Sequence, residues 1–204
     1  MIKYVVFDGM DGAETAGQMA LLEERIGSSA VFTQELSGTP FSKAESTALN
    51  SFLLFWAAQE AHQQSVVRPA LQAGKSVFSN RGDSTTYAHQ IYGENQHGLL
   101  GLFNNLRDRV FRIQGGRPPD LYIIFDLSPK VARDRAEQDA SRTSGLNMRD
   151  IRYYELVRNG FHQFGFCHPV VLIDAAKPKE EIHHLVMGLL YKRGFLPKPA
   201  CALG

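Results

Sequence analysis

The opening of the chain constrains it most. The apolar run Tyr4-Val5-Val6-Phe7 passes straight into the turn Asp8-Gly9-Met10-Asp11-Gly12-Ala13-Glu14-Thr15-Ala16-Gly17. A buried strand, then a glycine-bearing turn, then a helical pattern is the build of a phosphate-binding loop, whose backbone N–H groups and helix N-terminus receive an anion. The residue types such a loop needs are G-x-x-x-x-G-K-[ST]. Counting from Gly9, the second glycine falls on Glu14, the lysine on Thr15 and the metal-binding hydroxyl on Ala16. The spacing predicts the shape of the loop, while the residues remove its positive charge and its metal anchor.

Behind this turn, short apolar runs alternate with longer helical patterns. Strands are predicted at Tyr4–Phe7, Ala30–Thr33, Ser76–Ser79, Leu121–Asp126 and Val170–Ile173. Leu121–Asp126 is almost wholly apolar, as a strand covered on both faces must be. Helices are predicted from Gln18 to Ile26 and from Lys43 to Leu71, the latter with at least one break. Gly74 should close it, since Pro69 need not. Further helices are expected at Thr85–Gln90, Leu99–Arg112, Val131–Asp139, Asp150–Phe164 and Lys179–Lys192. In the last, Ile182, Leu185, Val186 and Leu189 are read as inward. Strand–helix alternation of this kind gives a mainly parallel sheet with helices on both faces. Residues 1–196 read as one domain and 197–204 as a loose tail.

Composition bounds the function. A formal net charge of +1 offers no basic field for long nucleic acid. No apolar run reaches the roughly 20 residues of a membrane span. Cys167 and Cys201 lack metal or disulfide spacing, which points to a reducing, cytoplasmic compartment. Cys167, after Phe164 and Phe166, is expected to be a small buried hydrophobe. No zinc spacing is present, and His183 and His184 are adjacent rather than an i, i+4 pair.

Several stretches then resemble one family, the thymidylate kinases, from about Ile2 to Leu196. Phe7-Asp8-Gly9-Met10-Asp11-Gly12-Ala13 is similar to its F-E-G-x-D-G-A entry. Thr33-Gln34-Glu35-Leu36-Ser37-Gly38-Thr39-Pro40 is similar to T-R-E-P-G-G-T-P, and Leu53-Leu54-Phe55-Trp56-Ala57-Ala58-Gln59 to L-L-F-A-A-D-R. Val67-Arg68-Pro69-Ala70-Leu71 with Gly74-Lys75 resembles I-R-P-A-L-x-x-G-K. Asn80-Arg81 through Ala88-His89-Gln90 resembles D-R-Y-x-x-S-x-x-A-Y-Q, and Pro119-Asp120-Leu121 with Asp126-Leu127-Ser128-Pro129 resembles P-D-L and D-x-x-P. The resemblance implies a P-loop NTPase-like three-layer α/β/α fold with a five-stranded parallel sheet. It also implies ATP and Mg²⁺ as cosubstrate and metal wherever phosphoryl transfer survives, dTMP or a related nucleotide as acceptor, and a homodimer, for which the helix containing Phe52 and Trp56 could supply the face.

The same resemblance assigns roles. Asp11, Arg81 and Arg142 are the candidate catalytic residues, with Arg133 and Arg135 in the same lid segment. Gly9, Gly12, Thr15, Glu35, Phe55, Gln59, Arg81 and Gln90 are the candidate nucleotide-binding residues, with Phe55 stacking on the base and Arg81 gripping the acceptor phosphate. No protein residue is assigned as a metal ligand. Gln34 and Gln59 stand where the family has arginine, Asn80 where it has aspartate. Phosphoryl transfer works by positioning and charge, so the expected function is nucleotide binding with transfer lost or strongly reduced. The alternatives are a working (deoxy)nucleoside monophosphate kinase with a rearranged phosphate site, and a non-catalytic interaction subunit.

Overall fold

The computed structural model describes residues 2–34, 47–113, 116–138 and 149–197. Five strands make one sheet: β1 (Tyr4–Gly9), β2 (Ala30–Gln34), β3 (Ser76–Asn80), β4 (Leu121–Asp126) and β5 (Val170–Asp174). They lie in the order β2-β3-β1-β4-β5, and each neighbouring pair is parallel. The predicted three-layer α/β architecture is the one observed. Val5 lies between Phe78 and Leu121 in register, and Phe7 between Asn80 and Ile123. β1 is wholly buried and β4 nearly so, which is why both read as unbroken apolar runs.

The chain crosses from one side of β1 to the other between β3 and β4. The strand order therefore reverses at β1, and open α/β sheets bind their ligands outside the carboxyl ends of the strands at such a point. Gly9, Asn80 and Asp126 end the three central strands there.

The helices differ from expectation in their joints. α1 (Thr15–Ile26) starts three residues earlier than predicted. α2 (Ala48–His62) runs through a π-helical turn, Gln63–Val67, into α3 (Arg68–Gln72). Pro69 lies where the π-helical turn passes into α3, so the sequence continues as helix through it. Gly74, at φ 79°, follows the helix end as anticipated. α4 (Asp83–Thr85) widens at once into the π-helical stretch Thr86–Gly93. α5 (Leu100–Asp108), α6 (Pro129–Gln138), α7 (Ile151–Gly165) and α8 (Lys179–Lys192) complete the layers. Asp150 caps α7 by accepting the Tyr153 N–H at 2.9 Å.

On α2, Phe52 and Trp56 are 0% and 4% exposed and belong to the core, Trp56 edge-on to Phe103, while Leu49 and Leu53 are its large exposed apolar residues. Two side-chain expectations are overturned. On α8, Leu185 is exposed, while Ile182, Val186, Met187 and Leu190 face inward; the buried stripe is turned from the one the sequence suggested. Cys167 is a free, exposed thiol, because α7 ends at Gly165 and the chain leaves the core before reaching it. Residues 198–204 of the anticipated tail, Cys201 among them, lie outside the described residues.

One polar cluster is sealed inside. Asp83 receives hydrogen bonds from Arg107 Nε (2.7 Å) and from the Tyr122 hydroxyl (2.8 Å), and Arg107 also donates to that hydroxyl at 3.1 Å. It ties α4, α5 and β4 together around an ion pair whose carboxylate is 1% exposed.

Candidate functional site

The turn after β1 runs directly into the N-terminus of α1. Gly12 has φ 84°, and Glu14 has φ 55° and ψ 34° at the N-cap of α1. Gly12 also lies under α6, since a Cβ there would meet Arg135 Cβ at 2.8 Å. Glycine suits both demands at Gly12. Glu14 takes the left-handed conformation without being glycine, an arrangement that stores strain of about 1–2 kcal/mol. Its side chain makes no capping hydrogen bond and is exposed. Thr15 and Ala16 begin the helix behind it. The backbone therefore presents the cradle, and the side chains around it are a carboxylate, a hydroxyl and a methyl.

Arg135 holds the cradle from behind. Its Nη1 donates to the carbonyls of Gly12 (3.3 Å) and Ala175 (3.0 Å), joining α6, the loop and the turn after β5. Arg133 instead pairs with Glu137 and Asp134 on the outer face of α6. Arg142 and Glu35 lie outside the described residues.

Asp8, in the strand just before the loop, is fully buried. It accepts from Ser84 Oγ (2.5 Å), Thr85 Oγ1 (2.7 Å) and the Gly9 N–H (2.9 Å). Burial pushes its carboxyl above the ordinary carboxylate range, against the opposing pull of Arg81 and of these hydrogen bonds. Asp8 thus locks the turn after β3 to the turn after β1. The sequence reading passed over it; an acid at the end of a continuous apolar strand was the available signal.

Arg81 follows β3 with φ 69°, a second non-glycine residue in the left-handed region, and its N–H donates to Phe7 O at 2.8 Å. The neighbouring strands β1 and β3 thus lead into two strained residues at one end of the sheet, where strain accompanies function. Arg81 Nη2 pairs with Asp11 Oδ1 at 3.0 Å, with both side chains about a quarter exposed. The structure therefore brings together two of the three candidate catalytic residues. The pair is open to solvent on one side, so the guanidinium can share its remaining N–H groups with a phosphate.

On the acceptor side, Phe55 is half-buried on α2. One turn on, Gln59 is 2% exposed, and neither its Nε2 nor its Oε1 has a hydrogen-bond partner. The Oδ1 of Asn80 and the Oε1 of Gln90 are likewise buried and unpartnered. Buried amides without partners are uncommon and costly, each on the order of 1–3 kcal/mol. Nearby, His62 Nε2 lies 2.9 Å from Thr33 Oγ1, and burial pushes its pKa down to about 4.

The metal that the resemblance implies is poorly served. The loop hydroxyl is Ala16, Asn80 carries no charge, and Asp8 is held by three donors. Among the described residues, no group of three or more His, Cys, Asp or Glu side chains is placed to hold an ion. Mg²⁺ prefers carboxylates and phosphate oxygens, and these residues do not fit it.

Asp126, of the D-x-x-P motif, is engaged elsewhere. Arg158 grips it bidentately at 2.9 and 2.6 Å, and His162 approaches at 3.3 Å. Burial alone would raise its pKa, but the hydrogen bonds and charge of Arg158 hold it below the usual range. Arg68, from the R-P-A-L motif, is buried, donating to Val110 O at 2.8 Å, and serves packing.

With this geometry in place, comparison with known proteins is direct. The family model described as thymidylate kinase matches residues 7–186. A thymidylate kinase of Deinococcus radiodurans is 28% identical over 94% of this chain and 97% of its own length. One from Halothermothrix orenii is 27% identical over 93% and 98%, and one from Desulforudis audaxviator 32% identical over 81% and 79%. A sheet with a phosphate-loop turn at β1, an Asp11–Arg81 pair beside it and this match along nearly the whole chain lead to one statement: the chain belongs to the thymidylate kinase family.

Proposed function

We propose that this family member binds a dTMP-like nucleotide at its acceptor side and carries out ATP-dependent phosphoryl transfer only weakly or not at all. The observation that carries the reading is the loop itself: a strained, exposed Glu14 carboxylate followed by Thr15 and Ala16, where a triphosphate needs a lysine and a metal-bound hydroxyl. Two like charges about 4 Å apart cost on the order of 4 kcal/mol at an effective dielectric of 20. Transfer has little covalent chemistry to fall back on when charge stabilisation is removed.

The acceptor half keeps its parts. Phe55 offers a ring for the base. The unpartnered amide of Gln59 offers a donor and an acceptor to its edge, and the unpartnered Oε1 of Gln90 an acceptor. Arg81, steadied by Asp11, offers a guanidinium to the 5′-phosphate. Gln34 and Gln59 in place of cations leave two positive charges fewer, so affinity falls below that of an arginine-bearing pocket. We further place the protein in the cytoplasm and as a homodimer, with the exposed Leu49 and Leu53 face of α2 as the contact.

The test is a coupled assay of ADP release with ATP·Mg²⁺ and dTMP, run beside calorimetric titration with dTMP. The expected result is saturable dTMP binding and a rate no higher than that of Arg81→Ala. A wild-type rate clearly above that variant would end the weak-transfer reading. Absence of dTMP binding would end the acceptor reading and favour an interaction protein.

A further inference from the structure

The first turn of α1 is crossed by a side chain from the far end of the sequence. A Cβ placed on Gly17 would stand 3.6 Å from Cε and 3.7 Å from Nζ of Lys179, and 3.7 Å from Oε2 of Glu14. Lys179 opens α8. Its backbone is pinned to α1, because buried Gln18 donates from Nε2 to the Lys179 carbonyl at 2.9 Å. A lysine there does nothing for its own helix, whose positive N-terminal end favours acids such as the Glu180 and Glu181 that follow. The end of its side chain instead lies over α1, in space that Gly17 leaves open. The loop that lacks a lysine of its own thus has an ammonium group brought beside it from α8, next to Gly17 as the Glu14 carboxylate is.

We propose that Lys179 is the displaced cation of this phosphate loop. Its ammonium contacts the phosphates of a nucleoside triphosphate lying against the first turn of α1, where the Glu14 carboxylate borders the same space. The assignment rests on the reading of this loop as the side that faces nucleotide phosphates, and it is independent of the acceptor half. It makes triphosphate binding independent of magnesium, because the contact is ammonium to phosphate and the loop has no metal anchor. It also makes Glu14 the competitor that limits affinity.

The experiment is calorimetric titration of the full chain with ATP, once in EDTA and once in Mg²⁺, with dTMP titrated into each sample separately. Wild type should bind ATP in EDTA. Lys179→Gln should weaken ATP binding at least tenfold, Lys179→Arg should keep most of it, and Glu14→Gln should tighten it severalfold. Lys179 is exposed, so these variants should fold, and unchanged dTMP affinity confirms it. The proposal is overturned if wild type binds no ATP without magnesium, or if Lys179→Gln binds ATP as wild type does. Lys179-dependent ATP binding without any dTMP binding would leave this assignment standing and remove the acceptor reading.

Discussion

Two clusters of charge occupy this fold, and the fold treats them oppositely. Asp83, Arg107 and Tyr122 lie inside, with every contact short and the carboxylate closed to water. Glu14, Asp11, Arg81 and Lys179 gather around the loop after β1, partly exposed, with two of the four on left-handed backbone. The sealed cluster has its partners already and can do nothing but hold α4, α5 and β4. The open cluster is strained and its Asp11–Arg81 pair is still reached by solvent, which is the condition for taking a ligand. Removing a member of the first should therefore change stability, and removing a member of the second should change binding.

Arg107→Ala breaks the sealed cluster and should have the largest effect. It leaves the Asp83 carboxylate buried without its cation, which typically costs about 3–5 kcal/mol. Urea unfolding should show this as a lower midpoint at unchanged slope. A loss below about 1 kcal/mol, within the range of an exposed ion pair, would erase the distinction between the clusters.

His62 offers the next largest effect, through pH. Its folded pKa of about 4 lies below the ordinary value of 6.5, so its contribution is complete above 6.5 and is lost as pH falls towards 4. At 1.36 kcal/mol per unit the span amounts to about 3 kcal/mol. His168 is also pushed down to about 4, by burial and then by Arg107, so the wild-type slope reports both histidines. Asp8 has the opposite sign: its raised pKa makes its contribution present at low pH and lost as pH rises through the folded value. Stability measured at pH 7 and pH 4.5 should differ less in His62→Gln than in wild type. An unchanged slope in that variant would mean that His62 is protonated within the fold.

Arg81→Ala tests the open cluster. Loss of a hydrogen bond to a charged group is worth about 1.5–3 kcal/mol, so dTMP affinity should drop roughly tenfold to a hundredfold, while the unfolding midpoint moves little. A large stability loss with unchanged dTMP affinity would make Arg81 a structural ion-pair residue and transfer it to the other side of the comparison.

The sequence disclosed these regions unequally. The sheet was readable because β1 and β4 are continuous apolar runs and β3 follows a glycine-marked helix end. The loop was readable because its glycine spacing is local. Lys179 was hidden for a physical reason: it reaches Gly17 only because α8 packs beside α1, and nothing near Thr15 in the sequence records a lysine about 160 residues away. Leu185 was misplaced because a helical apolar stripe fixes a period but not which side of it meets the sheet. Cys167 was misplaced because two neighbouring phenylalanines suggested burial just where α7 stops. Gln59 could be matched to the family's arginine by position, but its unpartnered amide is a fact of packing alone.

Glu14→Gly should produce the smallest shift, with a sign that discriminates. Glu14 sits at φ 55°, where a side chain costs about 1–2 kcal/mol and glycine costs none. Glycine also gains unfolded-chain freedom worth about 0.5–1 kcal/mol, which offsets part of the relief. The net expectation is a stabilisation of up to about 1 kcal/mol, or a melting temperature about 2–4 °C higher for a chain of this size. The same variant should bind ATP more tightly, since it removes the carboxylate that competes for Lys179. A stabilised protein with tighter ATP binding would mean that Glu14 opposes both folding and ligand. A destabilised one would mean that Glu14 is held by Lys179 strongly enough to outweigh its backbone strain, and the open cluster would then be a structural ion pair like the sealed one.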